Sequence, residues 1–167
     1  MTTSTAAIRA EYVRVRALVQ RVSEASVTVD GDEIARIGRG LLVLLGVRGE
    51  DGPEQADRLA GKLERLRVFE DDEGRMNLSV RDVGGGMLLV PQFTLAADTQ
   101  KGTRPSFSSA AVPEEGRRLF EALVARARAS YAPLGIGSFG ADMQVSLTND
   151  GPVTFWLRVR PAAVGAR

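Results

Sequence analysis

The chain has 167 residues, with 22 Lys and Arg against 21 Asp and Glu, so no global positive field draws it to nucleic acid and any RNA contact must come from a local basic patch. It contains neither His nor Cys, which excludes Ser-His-Asp and Cys-His catalysis, disulfides and Cys-ligated zinc. Catalysis then falls to carboxylates, to a metal held by oxygen ligands, or to backbone amides that work with a reactive group on the substrate; the alternative is a non-enzyme.

At 44% hydrophobic and 26% charged, the composition is that of one soluble domain. Residues 1–14 carry no periodic pattern and are expected to be a mobile extension, 15–160 a single domain, and 161–167 a loose tail. No apolar run is long enough to span a bilayer, and the start MTTSTAAIRAEYVRVR lacks the apolar stretch of a secretory signal. The expected compartment is therefore the cytosol, which the absence of Cys fits.

The first predicted strand is RALVQRVSEASVTV, residues 16–29, with Leu18, Gln20 and Val22 on one face and Val19 and Arg21 on the other. Asp30-Gly31 turns the chain, and EIARIG returns as its hairpin partner. LLVLLGV, from Leu41, is apolar on both faces, as in a central strand. Asp51, Gly52 and Pro53 open a helix with Glu54 in its first turn and an apolar stripe through Ala56, Leu59, Ala60, Leu63 and Leu66. In FEDDEGRMNLSVRDVGGG, Asp71 to Gly74 form a hairpin tip, a short strand follows, and Gly84 to Gly86 turn again. Glu70, Asp71, Asp72 and Glu73 are consecutive rather than spaced like calcium ligands, so they read as a solvated turn and no metal is expected.

Met87 to Leu95, MLLVPQFTL, reads as a buried strand interrupted at Pro91, which has no ladder donor. A polar loop with Lys101 and Arg104 leads to Pro113, Glu114 and Glu115, which start a second helix. Its apolar stripe is Leu119, Phe120, Leu123, Val124 and Ala127, and its other face carries Arg117, Arg118, Arg126 and Arg128. Two last strands, MQVSLT and FWLRV, flank NDGPVT, residues 149–154. There the Gly-Pro step makes either an ordinary turn or a cis bond that aims backbone carbonyls outward. The order of elements predicts a layered β/β/α domain of the α/β class, mostly antiparallel, with two main helices on one side.

QRVSEASVTVDG, GLLVLLGV, PEQADRLA, FEDDEGRMNLSVRDVGG, QFTLAADTQKGTRPSFSSAA and FGADMQVSLTNDGPVTFWL together resemble the D-aminoacyl-tRNA deacylases over about residues 15–159. These enzymes hydrolyse the ester joining a D-amino acid to transfer RNA. The resemblance implies a homodimer acting on aminoacyl-tRNA without metal or cofactor, in which Gly151-Pro152 is cis and enters the partner's active site as a chirality filter. It implies that backbone N–H groups at Gln92, Phe93 and Thr94 hold the ester carbonyl, with the terminal 2′-hydroxyl of the tRNA assisting. Thr94 has also been cast as a nucleophile in the family; with no His to deprotonate it, a supporting role is expected. Without the resemblance, all three residues read as ordinary strand.

Pro91, Asn149, Thr154, Met143 and Phe107 are candidate supporting residues, of which Met143 and Phe107 read more readily as core packing. Lys101 and Arg104 are candidate contacts to acceptor-stem phosphates, or simply solvated loop. Pro91 departs from the family pattern, which has Ser; a related branch that edits L-alanine mischarged on tRNA carries proline there. That branch and a catalytically silent tRNA-binding module are the alternatives to the D-specific reading.

Overall fold

The computed structural model describes residues 15–48, 52–108 and 110–159. The predicted extension, residues 1–14, and the tail, residues 161–167, lie outside the described residues, as does Asp51. A fifteen-residue strand, β1 (Val15–Val29), organises the sheet. On one edge it carries β2 (Asp32–Ile37) and then β3 (Gly40–Gly46), both antiparallel and in one register from Arg16 to Val27, Ala25 opposite Ile37 and Val22 opposite Gly40, with a shift between Val27 and Thr28. On its other edge lies β8 (Gln144–Val159), antiparallel along almost its whole length.

The middle of the sheet is parallel. β6 (Gly86–Pro91) pairs with β3, and β7 (Leu134–Ile136) pairs with β6, because each is reached through a helix-bearing crossover rather than a tight turn. The chain is thus of the predicted α/β class, with antiparallel pairings in the majority. Sequence periodicity gave no sign of β7, whose three residues are too short for a pattern. β4 (Arg67–Glu70) and β5 (Met76–Ser79) form a separate hairpin. At its tip Asp71 accepts hydrogen bonds from the Glu73 and Arg75 amides at 2.9 and 3.0 Å, so the acidic run closes a turn. The Arg75 amide is the main cause holding the Asp71 carboxyl below the usual carboxylate value, against a weaker opposing effect of desolvation.

Helices α1 (Pro53–Arg65) and α2 (Pro113–Ser130) begin at the predicted prolines and pack on one face of the sheet. Leu59, Leu63, Phe120 and Leu123 meet Ala17, Val19, Leu41, Val43, Met87 and Leu89, all buried. The opposite face is not left to water. The sheet curls until β7 comes beside β2, so Val22, Val27, Ile37, Leu42, Leu88 and Val90 build a second core between strands. Among the described residues no helix is long and apolar enough to cross a membrane.

One close approach requires a glycine at the start of β3. A Cβ on Gly40 would stand 1.9 Å from the Gly86 carbonyl oxygen, so β3 and β6 can start side by side only if residue 40 has no side chain.

Candidate active site

The strand predicted over residues 87–95 ends at Pro91. Its paired partner β3 stops at Gly46, and Pro91 itself has no N–H to continue a ladder. The Gln92 amide makes a last hydrogen bond to the Leu45 carbonyl at 2.7 Å, after which Phe93–Ala96 wind into a 3-10 turn. Gln92, Phe93 and Thr94 are therefore not strand residues, a correction with a chemical consequence. The leading N–H groups of a helical turn have no carbonyl one turn back, so those of Phe93 and Thr94 are free of intrahelical partners.

A cavity of about 430 Å³ opens at this turn. One wall is Pro91, Gln92 and Phe93; α2 contributes Pro113, Gly116 and Phe120; and the segment after β7 contributes Phe139, Gly140, Ala141 and Met143. Apart from Gln92, those lining side chains are apolar, which suits a hydrophobic or aromatic substituent. Pro91 and Met143 crowd Gly137, where a Cβ would come 3.2 Å from Pro91 Cδ and 3.1 Å from Met143 Sδ. Met143 thus lines the cavity while also packing against the second core. Phe107 is not core. It is 42% exposed and stacks obliquely on Phe93, itself 64% exposed, with ring centroids 5.3 Å apart.

Thr94 is exposed, and its hydroxyl oxygen accepts a hydrogen bond from the Gln92 side-chain amide at 2.5 Å. An amide nitrogen cannot take up a proton at neutral pH, so this contact positions Thr94 without activating it as a nucleophile. Thr94→Ala is expected to lower kcat/KM no more than about tenfold, the scale of one lost hydrogen bond. Steady-state kinetics check this; a loss beyond 10³-fold with unchanged substrate binding would instead mark a nucleophile.

The Gly-Pro step lies elsewhere. It does not separate two strands, as the sequence suggested, but interrupts the single strand β8. Gln20 of β1 faces Thr154 and Val22 faces Asn149, so two steps along β1 correspond to five along β8, and the surplus leaves the sheet as an elbow opposite Arg21. β1 continues unbroken through this region, which keeps β8 one element. Gly151 and Pro152 are exposed at the elbow, the peptide between them is cis as the resemblance implies, and Gly151 has φ +131°.

The elbow is clamped at its base. Asn149 accepts from the Val153 amide at 3.0 Å and donates to Thr154 Oγ1 at 3.0 Å, while Gln20 donates to the same hydroxyl at 3.3 Å. Arg21, 7% exposed, sits behind it: Nε donates to the Asp150 carbonyl at 3.1 Å and Nη1 to the Val68 carbonyl at 2.9 Å. Sequence reasoning saw Arg21 only as one face of a strand; a charged residue at an inward position of an alternating strand was the signal that something must bind it.

Of the residues expected to act together, Pro91, Gln92, Phe93 and Met143 share the cavity, with Thr94 and Phe107 at its edge. Gly151, Pro152, Asn149 and Thr154 form the elbow and do not line that cavity in the same chain. Lys101 and Arg104 are exposed on a loop closed by paired hydrogen bonds between Asp98 and Ser106, at 2.7 and 2.8 Å, and do not line it either.

Comparison with known proteins adds the following. The family model described as D-Tyr-tRNA(Tyr) deacylase matches residues 18–158. The D-aminoacyl-tRNA deacylase of Herminiimonas arsenicoxydans is 62% identical over 146 residues, covering 87% of this chain and 98% of that protein. That of Nitrosococcus oceani is 60% identical over 146 residues, covering 87% and 94%. A solved structure titled c-Myc DNA Unwinding Element Binding Protein superposes with a TM-score of 0.82 at 43% identity, covering 88% of this chain and 99% of that one. A probable eukaryotic D-amino acid tRNA deacylase shares the fold at 18% identity, with a TM-score of 0.75 and coverage of 88% and 100%.

Proposed function

The chain belongs to the D-Tyr-tRNA(Tyr) deacylase family, and from that premise we propose that it hydrolyses the ester bond of D-aminoacyl-tRNA, returning free tRNA to translation. The observation that carries the reading is the 3-10 turn in the cavity wall, which takes the N–H groups of Phe93 and Thr94 out of any ladder beside an apolar chamber. Water adds to the ester carbonyl, charge develops on its oxygen, and those N–H groups meet it; the carbon–oxygen bond to the ribose then breaks, leaving the free amino acid and the tRNA hydroxyl. Losing one such donor typically costs ~10²-fold to 10³-fold in rate. With no imidazole or thiol in the chain, the terminal 2′-hydroxyl of the tRNA is the reactive group that assists.

Stereochemistry enters through the elbow. The carbonyls of Gly151 and Pro152 stand against the substrate's α-carbon, where a D substrate presents hydrogen and an L substrate a side chain. Glycyl-tRNA, with hydrogen on both sides, is accepted as well. The elbow and the cavity belong to different protomers of a homodimer in this reading. Support comes from their separation within one chain and from β8, an edge strand with Leu147, Phe155 and Trp156 at 38%, 39% and 52% exposure. Lys101 and Arg104 contact acceptor-stem phosphates.

Pro91 favours one second reading, an editing deacylase for L-alanine mischarged on tRNA, because a rigid apolar ring replaces a hydroxyl at the cavity wall. One assay separates the two. Purified protein is incubated with D-tyrosyl-, L-tyrosyl-, glycyl- and L-alanyl-tRNA in the presence of chelator, and ester loss is followed. Cleavage of the D-tyrosyl ester with the L-tyrosyl ester spared is the expected result; preferential loss of L-alanine, or no release at all, would overturn it.

A further inference from the structure

The basic face of α2 divides on folding. Arg118 pairs with Glu115 at 2.7 Å and Arg126 with Asp57 at 3.2 Å, so carboxylates meet both charges. Arg117 is held differently. Its guanidinium carbon stands 5.0 Å over the Phe139 ring, and Nη2 donates a long hydrogen bond to the Phe139 carbonyl at 3.5 Å. Among the described residues it forms no ion pair. The ring and the carbonyl fix where the cation stands while neutralising none of it, and one long bond engages only one of five N–H donors.

That place is the rim of the cavity. Phe139 and Gly140, on one side of Arg117, line it, as do Pro113 and Gly116 from the first turn of its own helix. A Cβ on Gly140 would lie 3.7 Å from Arg117 Nη2, so the cation stands directly beside the lining backbone. We propose that Arg117 is a substrate-binding residue that takes the phosphodiester on the 5′ side of the terminal nucleoside, whose aminoacyl ester enters the cavity.

The chemistry is matched on both sides. An ester on the ribose of a terminal nucleotide carries one phosphate within the same nucleotide, and a guanidinium is the side chain best shaped for two parallel N–H bonds to phosphate oxygens. A chain with 22 basic and 21 acidic residues has no bulk charge to hold RNA, so a few unneutralised cations at the site must carry that attraction. The inference rests on the deacylase reading, and the experiment keeps the two apart.

Wild-type protein and Arg117→Ala are compared in two ways. The first is kcat/KM on D-tyrosyl-tRNA as a function of salt. The second is competitive inhibition by two hydrolysis-resistant amide analogues of 3′-D-tyrosyl-adenosine, one with a 5′-monophosphate and one without. The variant is expected to lose about tenfold in kcat/KM at low salt, to show a log–log salt slope shallower by about 1, and to bind both analogues alike, whereas the wild type prefers the phosphorylated one about tenfold. Arg117→Lys should keep part of the preference. Equal binding of the two analogues by the wild type, or equal weakening of both in the variant, would overturn the phosphate contact and leave Arg117 as a brace for residues 139–141. Failure of the wild type to cleave D-tyrosyl-tRNA at all would instead sink the deacylase reading.

Discussion

Gly151→Ala is expected to lower deacylation of D-aminoacyl-tRNA by about 10²-fold or more while the protein stays folded. A Cβ at this position would lie 2.7 Å from Val153 Cγ2 and 3.1 Å from Arg21 Nη2, and φ of +131° is a backbone conformation that an L side chain rarely adopts. Holding alanine there costs of order 1–3 kcal/mol, so the bulge rearranges in preference to the sheet that carries it. Displacing a positioning element by about 1 Å is enough to cost ~10²-fold in rate. Gel filtration and thermal unfolding report whether the fold survives, and single-turnover ester hydrolysis reports the loss. A folded variant with activity within tenfold of wild type would remove Gly151 from the site.

Arg21→Ala should have the second largest effect, on two readouts at once. Its side chain is almost fully buried and ties the Asp150 carbonyl, at the foot of the elbow, to the Val68 carbonyl in the next layer. A side-chain carboxylate oxygen of Asp150 lies only 3.6 Å from Nε, but Asp150 is exposed, so the two carbonyl bonds dominate. Truncation leaves a buried acceptor without a donor, which costs about 1–3 kcal/mol of stability. Denaturant unfolding measures that. The second consequence belongs to specificity: an elbow without its backing can yield to an L side chain, so the ratio of D- to L-tyrosyl-tRNA hydrolysis should fall by about tenfold or more, a change of about 1.4 kcal/mol in discrimination. Arg21→Lys, which reaches one carbonyl but not both, should fall between. A variant that loses stability and rate but keeps its D/L ratio would mean that Arg21 only supports the fold.

The sequence made the secondary elements legible where pattern and length were sufficient. The stripe Leu59, Leu63 and the stripe Phe120, Leu123 placed both helices, and the prolines at 53 and 113 fixed their starts. The reading of residues 87–95 as strand failed at one side chain, because apolar runs look alike whether or not a ladder partner exists, and β3 ends opposite Pro91. β8 was divided in two for the converse reason. Gly151-Pro152 looks like a chain reversal in one dimension, and only the unbroken partner strand β1 turns it into a bulge. Of the cavity's lining, only Pro91, Gln92, Phe93 and Met143 were named beforehand as candidate site residues. Its walls come from β6, α2 and the segment after β7, and glycines such as Gly116 and Gly140 carry no periodic signal. The residues of the elbow and of the turn after Pro91 were named from the resemblance, the turn itself was not, and both are formed by backbone geometry rather than by reactive side chains, which is why composition and spacing alone leave the chemistry open.

Mixed dimers decide the central claim, that one protomer's elbow works in its partner's cavity. Two chains with different affinity tags are co-expressed: one carries Gly151→Ala, which spoils the elbow, and the other Ala111→Trp, which fills the cavity that Ala111 lines. Each variant alone should be inactive, and the purified heterodimer should recover D-tyrosyl-tRNA hydrolysis at about half the wild-type rate, because one of its two sites joins an intact cavity to an intact elbow. A heterodimer as inactive as its two parents, or a wild-type protein that sediments as a monomer at the concentrations where it is active, would contradict the account.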